Sequence, residues 1–232
     1  MVVYSKTDPR IFYAERPDQF QMLDLCDPVW IESPGILRDA LELVHIVTLP
    51  TAAMLNDFHR AMGPFPGRVV RDGHNLDCYR PGEKIGPHYA WFGYSQNWPA
   101  EGGVMRGIPE DDLLVVSDLD PGYGRFHRWQ DDRAAFAHIA QSKIAVIPEV
   151  SPLKSNNRAI TAWALGLAVA KTPEDLIRLE TDEAIEQDVQ GHQRVVRHHS
   201  AQEAANDWRK AINGGGKALK HVALSCERPL PS

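Results

Sequence analysis

Residues Asp111 to Asp120 read DDLLVVSDLD, and this stretch decides the fold class. Within it, the consecutive residues Leu113 to Ser117 carry only one small polar side chain. A continuous apolar run bounded by polar residues is typical of a strand buried on both faces, as in a parallel sheet. The stretch therefore predicts a central strand whose carboxyl end carries Asp118 and Asp120.

Strand-like and helix-like segments alternate on both sides of this run. Upstream, the patterns predict two strands, a helix and a further short strand: Asp27 to Ser33, Val44 to Leu49, Thr51 to about Met62, and residues 67–72. Downstream, they predict three helices (129–141, 157–169 and one starting at Thr172), a strand over 143–150, a helix from Ser200 to Asn213, and a last strand over 221–226. This alternation indicates an α/β fold, a mostly parallel, Rossmann-like sheet with helices on both faces.

The length predicts one domain with one irregular region. At 232 residues the chain fits a single α/β domain over 1–232. Residues 73–110 contain seven glycines and four prolines together with many aromatic residues. A loop of this length inside a compact domain is unusual unless it binds something, so we expect an insertion or a lid here. An aromatic mini-core or a small subdomain is the alternative interpretation.

Composition narrows the class of protein. The formal net charge is −6, and no block of Lys and Arg stands out, which argues against duplex nucleic acid as the main partner. The cysteines, Cys26, Cys78 and Cys226, form no CxxC pair, so neither a disulfide framework nor a structural zinc site is indicated. The sequence shows no signal-peptide core and no apolar run of about 18 residues, so a cytoplasmic protein is expected.

Asp118 and Asp120 are the leading candidates for chemistry. In an open α/β sheet, ligands bind at the carboxyl ends of the strands. Residues i and i+2 of a strand point to the same side, so both carboxylates would converge on one point. Their mutual repulsion would be relieved by a hard divalent ion such as Mn²⁺ or Mg²⁺, which prefers carboxylate oxygens. The alternative is that both acids are solvated residues of a turn, because SDLDPG is also a plausible turn sequence.

The stretch from Arg106 to Asp120, RGIPEDDLLVVSDLD, resembles the DxD region of GT-A fold glycosyltransferases. It is similar to the family that adds a bisecting N-acetylglucosamine to glycoprotein mannose, and to that family's bacterial relatives. Val29 to Ser33 and Leu43 to Pro50 resemble earlier strands of the same family. The family's DxD continues with Glu-Ile-Pro, whereas here Pro121-Gly-Tyr-Gly follows.

The resemblance implies a GT-A-like fold and a metal-dependent glycosyltransferase. Its donor would be a nucleotide-sugar and its acceptor a glycan or another small molecule, with Mn²⁺ or Mg²⁺ as the cofactor. Asp118 and Asp120 would be the metal and diphosphate ligands.

Further candidates take secondary roles. His127 is a possible third metal ligand, and Glu149, at a predicted strand end, is a possible general base. Arginine matches phosphate oxygens well, so Arg158 and the nearby Lys154 are candidates for binding the diphosphate. Three more residues complete the predicted substrate site: Glu32, Trp91 and Arg106. For the charged residues, an ordinary surface role is the competing interpretation.

Other classes of protein use the same residue types. A Toprim domain, the metal-binding module of topoisomerases and primases, needs a glutamate after an early strand and a later DxD, an order that Glu32, Asp118 and Asp120 match. Nucleic acid would be the partner only under this alternative. Ser-Asp-Leu-Asp is similar to the nucleophile motif of haloacid dehalogenase phosphatases, but no late Gly-Asp-x-x-x-Asp completes it. A non-enzymatic α/β binding protein is the last alternative.

Overall fold

The computed structural model describes residues 1–5, 19–99, 103–148, 153 and 156–225. The strands in these ranges are β1 (Val2–Ser5), β2 (Gln21–Asp24), β3 (Ile46–Leu49), β4 (Gly67–Val69), β5 (Tyr89–Phe92), β6 (Leu113–Ser117), β7 (Arg125–Arg128), β8 (Ile144–Val146) and β9 (Ala168–Ala170). The α-helices are α1 (Val29–Glu32), α2 (Pro34–Leu41), α3 (Ala52–Met62), α4 (Asp132–Ile139), α5 (Asn157–Ala164), α6 (Pro173–Arg178), α7 (Asp182–His198) and α8 (Ala201–Ser225).

The strands form two separate parallel sheets. One is four-stranded, in the order β1-β2-β3-β4, and the other is five-stranded, in the order β7-β6-β5-β8-β9. Every pairing in both sheets is parallel. The predicted α/β class, with mostly parallel strands, is therefore confirmed.

The chain divides into two compact units, whereas the sequence analysis expects a single domain over 1–232. The first unit comprises Met1–Gly73, Ser151–Ser155 and Gln202–Ser232, and the second comprises His74–Val150 and Asn156–Ala201. The physical reason is that each sheet buries its own core, and that the chain returns to the first unit with α8.

In the first unit, both faces of the four-stranded sheet are covered. Alternate strand residues such as Leu23 and Val47 pack with Trp30, Leu37 and Phe58 of helices α1, α2 and α3. The other face, which includes Met22 and Ile46, packs against α8 through Ala211 and Trp208. All four residues of β3 are buried, as expected of a strand that is covered on both faces.

The five-stranded sheet of the second unit is also covered on both faces. Successive residues of β5 belong to different cores: Ala90 and Phe92 pack on the side of α4 and α5, while Trp91 packs on the side of α6. Val116 and Val115 of β6 divide in the same way. Helices on both faces were predicted, and each sheet has them. Among the described helices, none combines the length and apolar character that a membrane span needs.

Several local predictions agree with the structure. β6 spans the predicted residues, and α3 begins after Thr51, whose hydroxyl accepts a hydrogen bond from the Met54 backbone N–H at 3.1 Å. α6 begins with the capping box of Thr172 and Asp175.

Other local predictions are wrong. The predicted strand at Asp27 to Ser33 is a short helix, α1, because four residues are too few for periodicity to separate a helix from a strand. The helix predicted over 157–169 ends at Ala164, since Gly166 takes a φ of +77° and allows the chain to turn into β9. α8 runs through the predicted stop at Asn213 and through residues 221–225 of the strand predicted over 221–226.

The prediction for residues 73–110 also needs correction. This segment supplies β5, which lies between β6 and β8 in the sheet and so is central to the second unit. It is not an insertion or a lid as a whole. Around β5, the described residues form short 3₁₀ turns at Leu76–Cys78, Ser95–Asn97 and Gly103–Gly107.

Candidate functional site

A cavity of about 470 Å³ opens at the carboxyl edge of the five-stranded sheet, entirely within the second unit. Its walls come from the residues that follow β5, β6 and β7, together with α4 and the start of α5. They are Phe92, Gly93, Tyr94, Asn97, Asp118, Trp129, Asp132, Phe136, Asn157, Arg158 and Thr161. Ligands of parallel α/β sheets bind at this edge, since loops there are shaped without disturbing the core.

The cavity has an aromatic side. Trp129 and Phe136 meet edge to face with ring centroids 5.9 Å apart. The Trp129 indole N–H donates a hydrogen bond to Asp132 at 3.2 Å, which fixes the ring in place. Tyr94 also lines the cavity and is 68% exposed, so its ring is available to a ligand. Such surfaces suit a planar base or the apolar face of a sugar.

Arg158 gives the cavity a half-buried guanidinium group. Its Nη1 atom is inaccessible to solvent and, within the described part of the chain, has no hydrogen-bond partner. Burial lowers the pKa of this guanidinium from its ordinary range, but arginine stays protonated in proteins. A buried N–H donor without a hydrogen-bond partner is costly, and an oxygen of a bound anion would accept from it.

Gly93 makes room for this guanidinium. A Cβ atom placed on Gly93 would lie 3.4 Å from Arg158 Nη1, and the residue has a φ of +150°, which side chains rarely adopt. The Gly93 backbone N–H donates to the Val116 carbonyl at 3.1 Å and so holds the chain against β6. Glycine therefore meets both a backbone and a space requirement here.

The first two turns of α5 also face the cavity through Asn157, Arg158 and Thr161. The residue before this helix, Asn156, makes no side-chain hydrogen bond to cap it. Backbone N–H groups at an uncapped helix start attract anions, as does the positive end of the helix dipole. The site thus combines a guanidinium and a helix start.

Asp118 lines the cavity, but its carboxylate serves another element. Oδ1 accepts hydrogen bonds from the Ser95 backbone N–H at 2.6 Å and from the Ser117 hydroxyl at 3.1 Å, and Oδ2 accepts from the Ser95 hydroxyl at 3.3 Å. The Ser95 N–H in particular holds the pKa of Asp118 below its usual range. Asp118 therefore anchors the turn that carries Tyr94 and Asn97.

Asp120 behaves differently. It is exposed, and its Oδ1 accepts a hydrogen bond from the Gly122 backbone N–H at 2.8 Å, as in an Asx turn. β6 ends at Ser117, so the two aspartates are not successive residues on one face of a strand. The structure does not show them converging on one point, as the sequence analysis expected.

The described residues do not fit the predicted metal site. Among them, no three His, Cys, Asp or Glu side chains group together in a way that suits a metal ion. His127, the predicted third ligand, lies in β7, and its ring contacts that of His138 in a tilted arrangement with centroids 3.7 Å apart. Burial and the neighbouring His138 lower the pKa of His127. Its ring does not line the cavity.

The remaining predicted residues have varied positions. Trp91 is fully buried in the core on the other face of β5, against Trp98, so the prediction that it contacts substrate is wrong. Glu32 lies in helix α1 of the first unit and not at a strand end. Arg106 belongs to a 3₁₀ turn, and its side chain lies outside the described part of the structure. Glu149 and Lys154 are also outside the described residues.

Several residues of the cavity wall carry no signal that the sequence patterns alone reveal. Gly93, Tyr94 and Trp129 were missed because β5 and β7 were not recognised as strands. Asn157 was missed although it stands next to Arg158 at a predicted helix start. The signal that would have found them is position, since each follows a strand or opens a helix at the same edge of the sheet.

Neither a family model nor a curated protein matches the sequence. Solved structures do match. HepE from Anabaena, in complex with UDP and glucose, aligns with a TM-score of 0.66 at 11% identity, covering 88% of this chain and 72% of HepE. A glycosyltransferase from Rickettsia africae gives a TM-score of 0.60 at 9% identity, with 89% and 73% coverage.

Sucrose-phosphate synthase from Thermosynechococcus elongatus aligns with a TM-score of 0.51 at 12% identity, covering 93% of this chain and 71% of the synthase. Identities this low establish the fold alone. None of these three structures is described as a bisecting N-acetylglucosaminyltransferase, so that finer resemblance stays a prediction. The chain shares the α/β fold of these three solved structures.

Proposed function

We propose that this protein is a glycosyltransferase that uses a nucleotide-sugar donor, and that the cavity of the second unit binds the donor's diphosphate. The observation that carries the proposal is the buried Nη1 atom of Arg158, which has no partner among the described residues and lies at the uncapped start of α5. The HepE structures support it, because their descriptions name UDP, glucose and UDP-glucose as ligands.

The chemistry of transfer explains why such a site is useful. The oxygen of an acceptor hydroxyl attacks the anomeric carbon of the sugar, while the bond between that carbon and the diphosphate oxygen breaks. The leaving nucleoside diphosphate takes the electron pair, so negative charge develops on its oxygens, and the proton of the acceptor hydroxyl passes to one of these oxygens or to water. Arg158 and the α5 N–H groups would stabilise that charge without reorganising, which lowers the barrier.

The aromatic side of the cavity would hold the remaining parts of the donor. Stacking on Trp129, Phe136 or Tyr94 suits a nucleobase or a sugar face. The Asp132 carboxylate accepts a hydrogen bond from Trp129 and has further lone pairs for a ligand hydroxyl. A general base is not assigned from the described residues, and the predicted role of Glu149 stays a prediction.

The proposal does not require a divalent metal ion. Mn²⁺ or Mg²⁺ on Asp118 and Asp120 was expected from the DxD sequence, but both carboxylates hold backbone N–H groups of turns. We therefore assign the compensation of the diphosphate charge to Arg158 and α5, and activity should persist in EDTA. The metal prediction is supported instead if added Mn²⁺ restores activity that EDTA removes.

Two alternative functions were considered, a Toprim-type enzyme and a non-enzymatic binding protein. The Toprim alternative requires a glutamate after an early strand, and Glu32 is in a helix, so this prediction is wrong. A non-enzymatic binding protein would use the same cavity. It would bind a nucleotide-sugar without transferring the sugar or releasing the nucleoside diphosphate.

The proposal is tested by titrating the wild-type protein calorimetrically with UDP, GDP, ADP and UMP in EDTA. We expect at least one diphosphate to bind with a Kd below about 1 mM and UMP to bind more weakly, since it lacks the second phosphate. Absence of binding by every diphosphate contradicts the proposal. Sugar release is then measured with the matching nucleotide-sugar, which separates a transferase from a binding protein.

A further inference from the structure

A hydrogen-bonded chain of side chains runs from Tyr79 to the wall of the cavity. The Tyr79 hydroxyl lies 2.9 Å from His74 Nδ1, and His74 Nε2 lies 3.3 Å from Oδ1 of Asn157. Asn157 lines the cavity, whereas His74 and Tyr79 do not. All three residues belong to the second unit.

The acceptor at the end of this series of hydrogen bonds determines which atoms of His74 and Tyr79 carry protons. A carbonyl oxygen such as Asn157 Oδ1 only accepts, so His74 must carry its proton on Nε2. In a neutral imidazole Nδ1 is then an acceptor, and the Tyr79 hydroxyl donates to it. Burial raises the pKa of Tyr79, with a smaller opposing effect from a Thr161 hydrogen bond, so the phenol keeps this proton.

His74 is itself held in place by its backbone. Its N–H donates to the His199 carbonyl at 2.8 Å, and its carbonyl accepts from the Ala201 N–H at 2.8 Å. This bridge fixes the residue through main-chain atoms, so it survives replacement of the side chain. The imidazole is thus a fixed donor whose direction the Tyr79 contact sets.

The hydrogen bond from His74 determines which group of the Asn157 amide is left for a ligand. With Oδ1 occupied by His74, the amide Nδ2 group remains, and among the described residues it donates to no protein acceptor. Asn157 is adjacent to Arg158 on the first turn of α5, so the free amide N–H groups and the guanidinium belong to one donor-rich wall.

We propose that His74 is a positioning residue that fixes the orientation of the Asn157 amide, so that its Nδ2 group donates to an acceptor oxygen of the bound nucleoside diphosphate. This inference rests on the proposed function. It adds to the proposed site a residue, His74, that does not contact the ligand. It also predicts that the site selects ligand atoms that only accept hydrogen bonds.

The test is a double-mutant cycle on UDP affinity, measured by calorimetry with the full chain. His74→Phe keeps an aromatic ring but removes the donor, and Asn157→Ala removes the amide. Each single variant is expected to weaken UDP binding about tenfold, as expected for a lost hydrogen bond to a charged group. The double variant should bind no more weakly than Asn157→Ala, because His74 acts only through Asn157.

A matched pair guards against a purely structural effect. His74→Gln places an amide N–H near the position of Nε2, and His74→Asn places one near Nδ1. Glutamine is expected to restore affinity to within about threefold of wild type, and asparagine to leave the full loss, since only the first reaches Asn157. This pair remains informative if the phenylalanine variant fails to fold.

The outcomes separate the two proposals. Suppose that wild type binds UDP at least tenfold more tightly than Arg158→Leu, and that His74→Phe weakens binding by the same factor whether residue 157 is Asn or Ala. The inference is then overturned and the proposed function stands. Equal affinity for His74→Gln and His74→Asn also overturns it. If wild type binds no nucleoside diphosphate, the proposed function fails, and this inference fails with it.

Discussion

The Oδ1 atom of Asp118 accepts a 2.6 Å hydrogen bond from the backbone N–H of Ser95. This bond joins the end of β6 to the 3₁₀ turn that follows β5, its neighbour in the sheet. The carboxylate thereby takes the role of a helix cap for the turn at Ser95–Asn97. It places Tyr94 and Asn97 on the wall of the cavity.

This relationship separates an anchoring role of Asp118 from a metal-binding role. Asp118→Asn retains an oxygen that accepts from Ser95, so UDP affinity should fall less than about threefold. Asp118→Ala removes the acceptor and should lower the affinity about tenfold by releasing the turn. Calorimetric titration of both variants with UDP provides the comparison, with Asp120→Asn as the control.

Metal binding by the aspartates would give another pattern. Asp118→Asn and Asp120→Asn would then each abolish nucleotide binding, and wild-type binding would require Mn²⁺ or Mg²⁺. Observation of that pattern would restore the prediction made from the DxD sequence.

Gly93 should be essential for the cavity. Gly93→Ala adds a Cβ that presses on Arg158 Nη1 at 3.4 Å, at a residue whose φ is +150°. We expect a destabilisation of about 1–3 kcal/mol by urea unfolding and at least a tenfold loss of UDP affinity. The matched control is Gly191→Ala in α7, where an added Cβ meets open space. That control should gain about 1 kcal/mol and bind normally, and equal effects of the two changes would refute the argument.

Lys84 should impose a pH dependence on stability. Burial lowers its pKa to about 8, and Nζ donates to the Ala140 carbonyl at 2.9 Å. Between pH 8 and the ordinary pKa of 10.5, the unfolded chain binds more protons at this residue than the folded chain, so stability from this group rises with pH. The side chain is only about half buried, so the slope is below about 1 kcal/mol per pH unit.

Lys84→Met removes that contribution. Urea unfolding at pH 7.5, 8.5 and 9.5 should show a flatter pH dependence for this variant than for wild type. The exposed Lys210→Met change is the matched control and should retain the wild-type slope. If Lys84→Met and wild type have parallel profiles, folding does not lower the pKa of Lys84 and the prediction is wrong.

Arg158 should lower the stability of the ligand-free protein. Its side chain is half-buried, its buried Nη1 atom has no partner among the described residues, and replacement of such a group by an apolar residue often stabilises a fold. Arg158→Leu is therefore expected to raise the free energy of unfolding of the ligand-free protein by about 1 kcal/mol. Urea unfolding without nucleotide measures this. A loss of stability would show that Arg158 supports the fold and is not held for a ligand.

The sequence predicts the elements with the strongest patterns. β6 stands out because five residues are buried on both faces, and α3 and α6 because a threonine caps each of them. β5 was missed because its four residues, Tyr89–Phe92, lie between Pro87 and Gly93 in a stretch full of turn formers. The second sheet was not foreseen, because contacts such as those of α8 with Met22 join residues far apart in the chain.

The site was predicted in part. Asp118 and Arg158 were predicted and both line the cavity. They could be predicted because the end of β6 and the start of α5 are visible in the sequence. Their roles were harder to foresee, because hydrogen bonds such as the one from Ser95 to Asp118 depend on which strands are neighbours. Trp91 was predicted to contact the substrate, but successive side chains of a strand point to opposite faces, and that of Trp91 points into the core.

The most direct test of the donor site is calorimetric titration of UDP in EDTA into wild type, Arg158→Leu and Arg133→Leu. Arg133 is an exposed residue of α4 that does not line the cavity, so its replacement makes the same charge change elsewhere. We predict that wild type and Arg133→Leu bind alike, and that Arg158→Leu binds about 10- to 100-fold more weakly, because it lacks charge-assisted hydrogen bonds to the diphosphate. Equal affinity of Arg158→Leu and wild type would contradict the account.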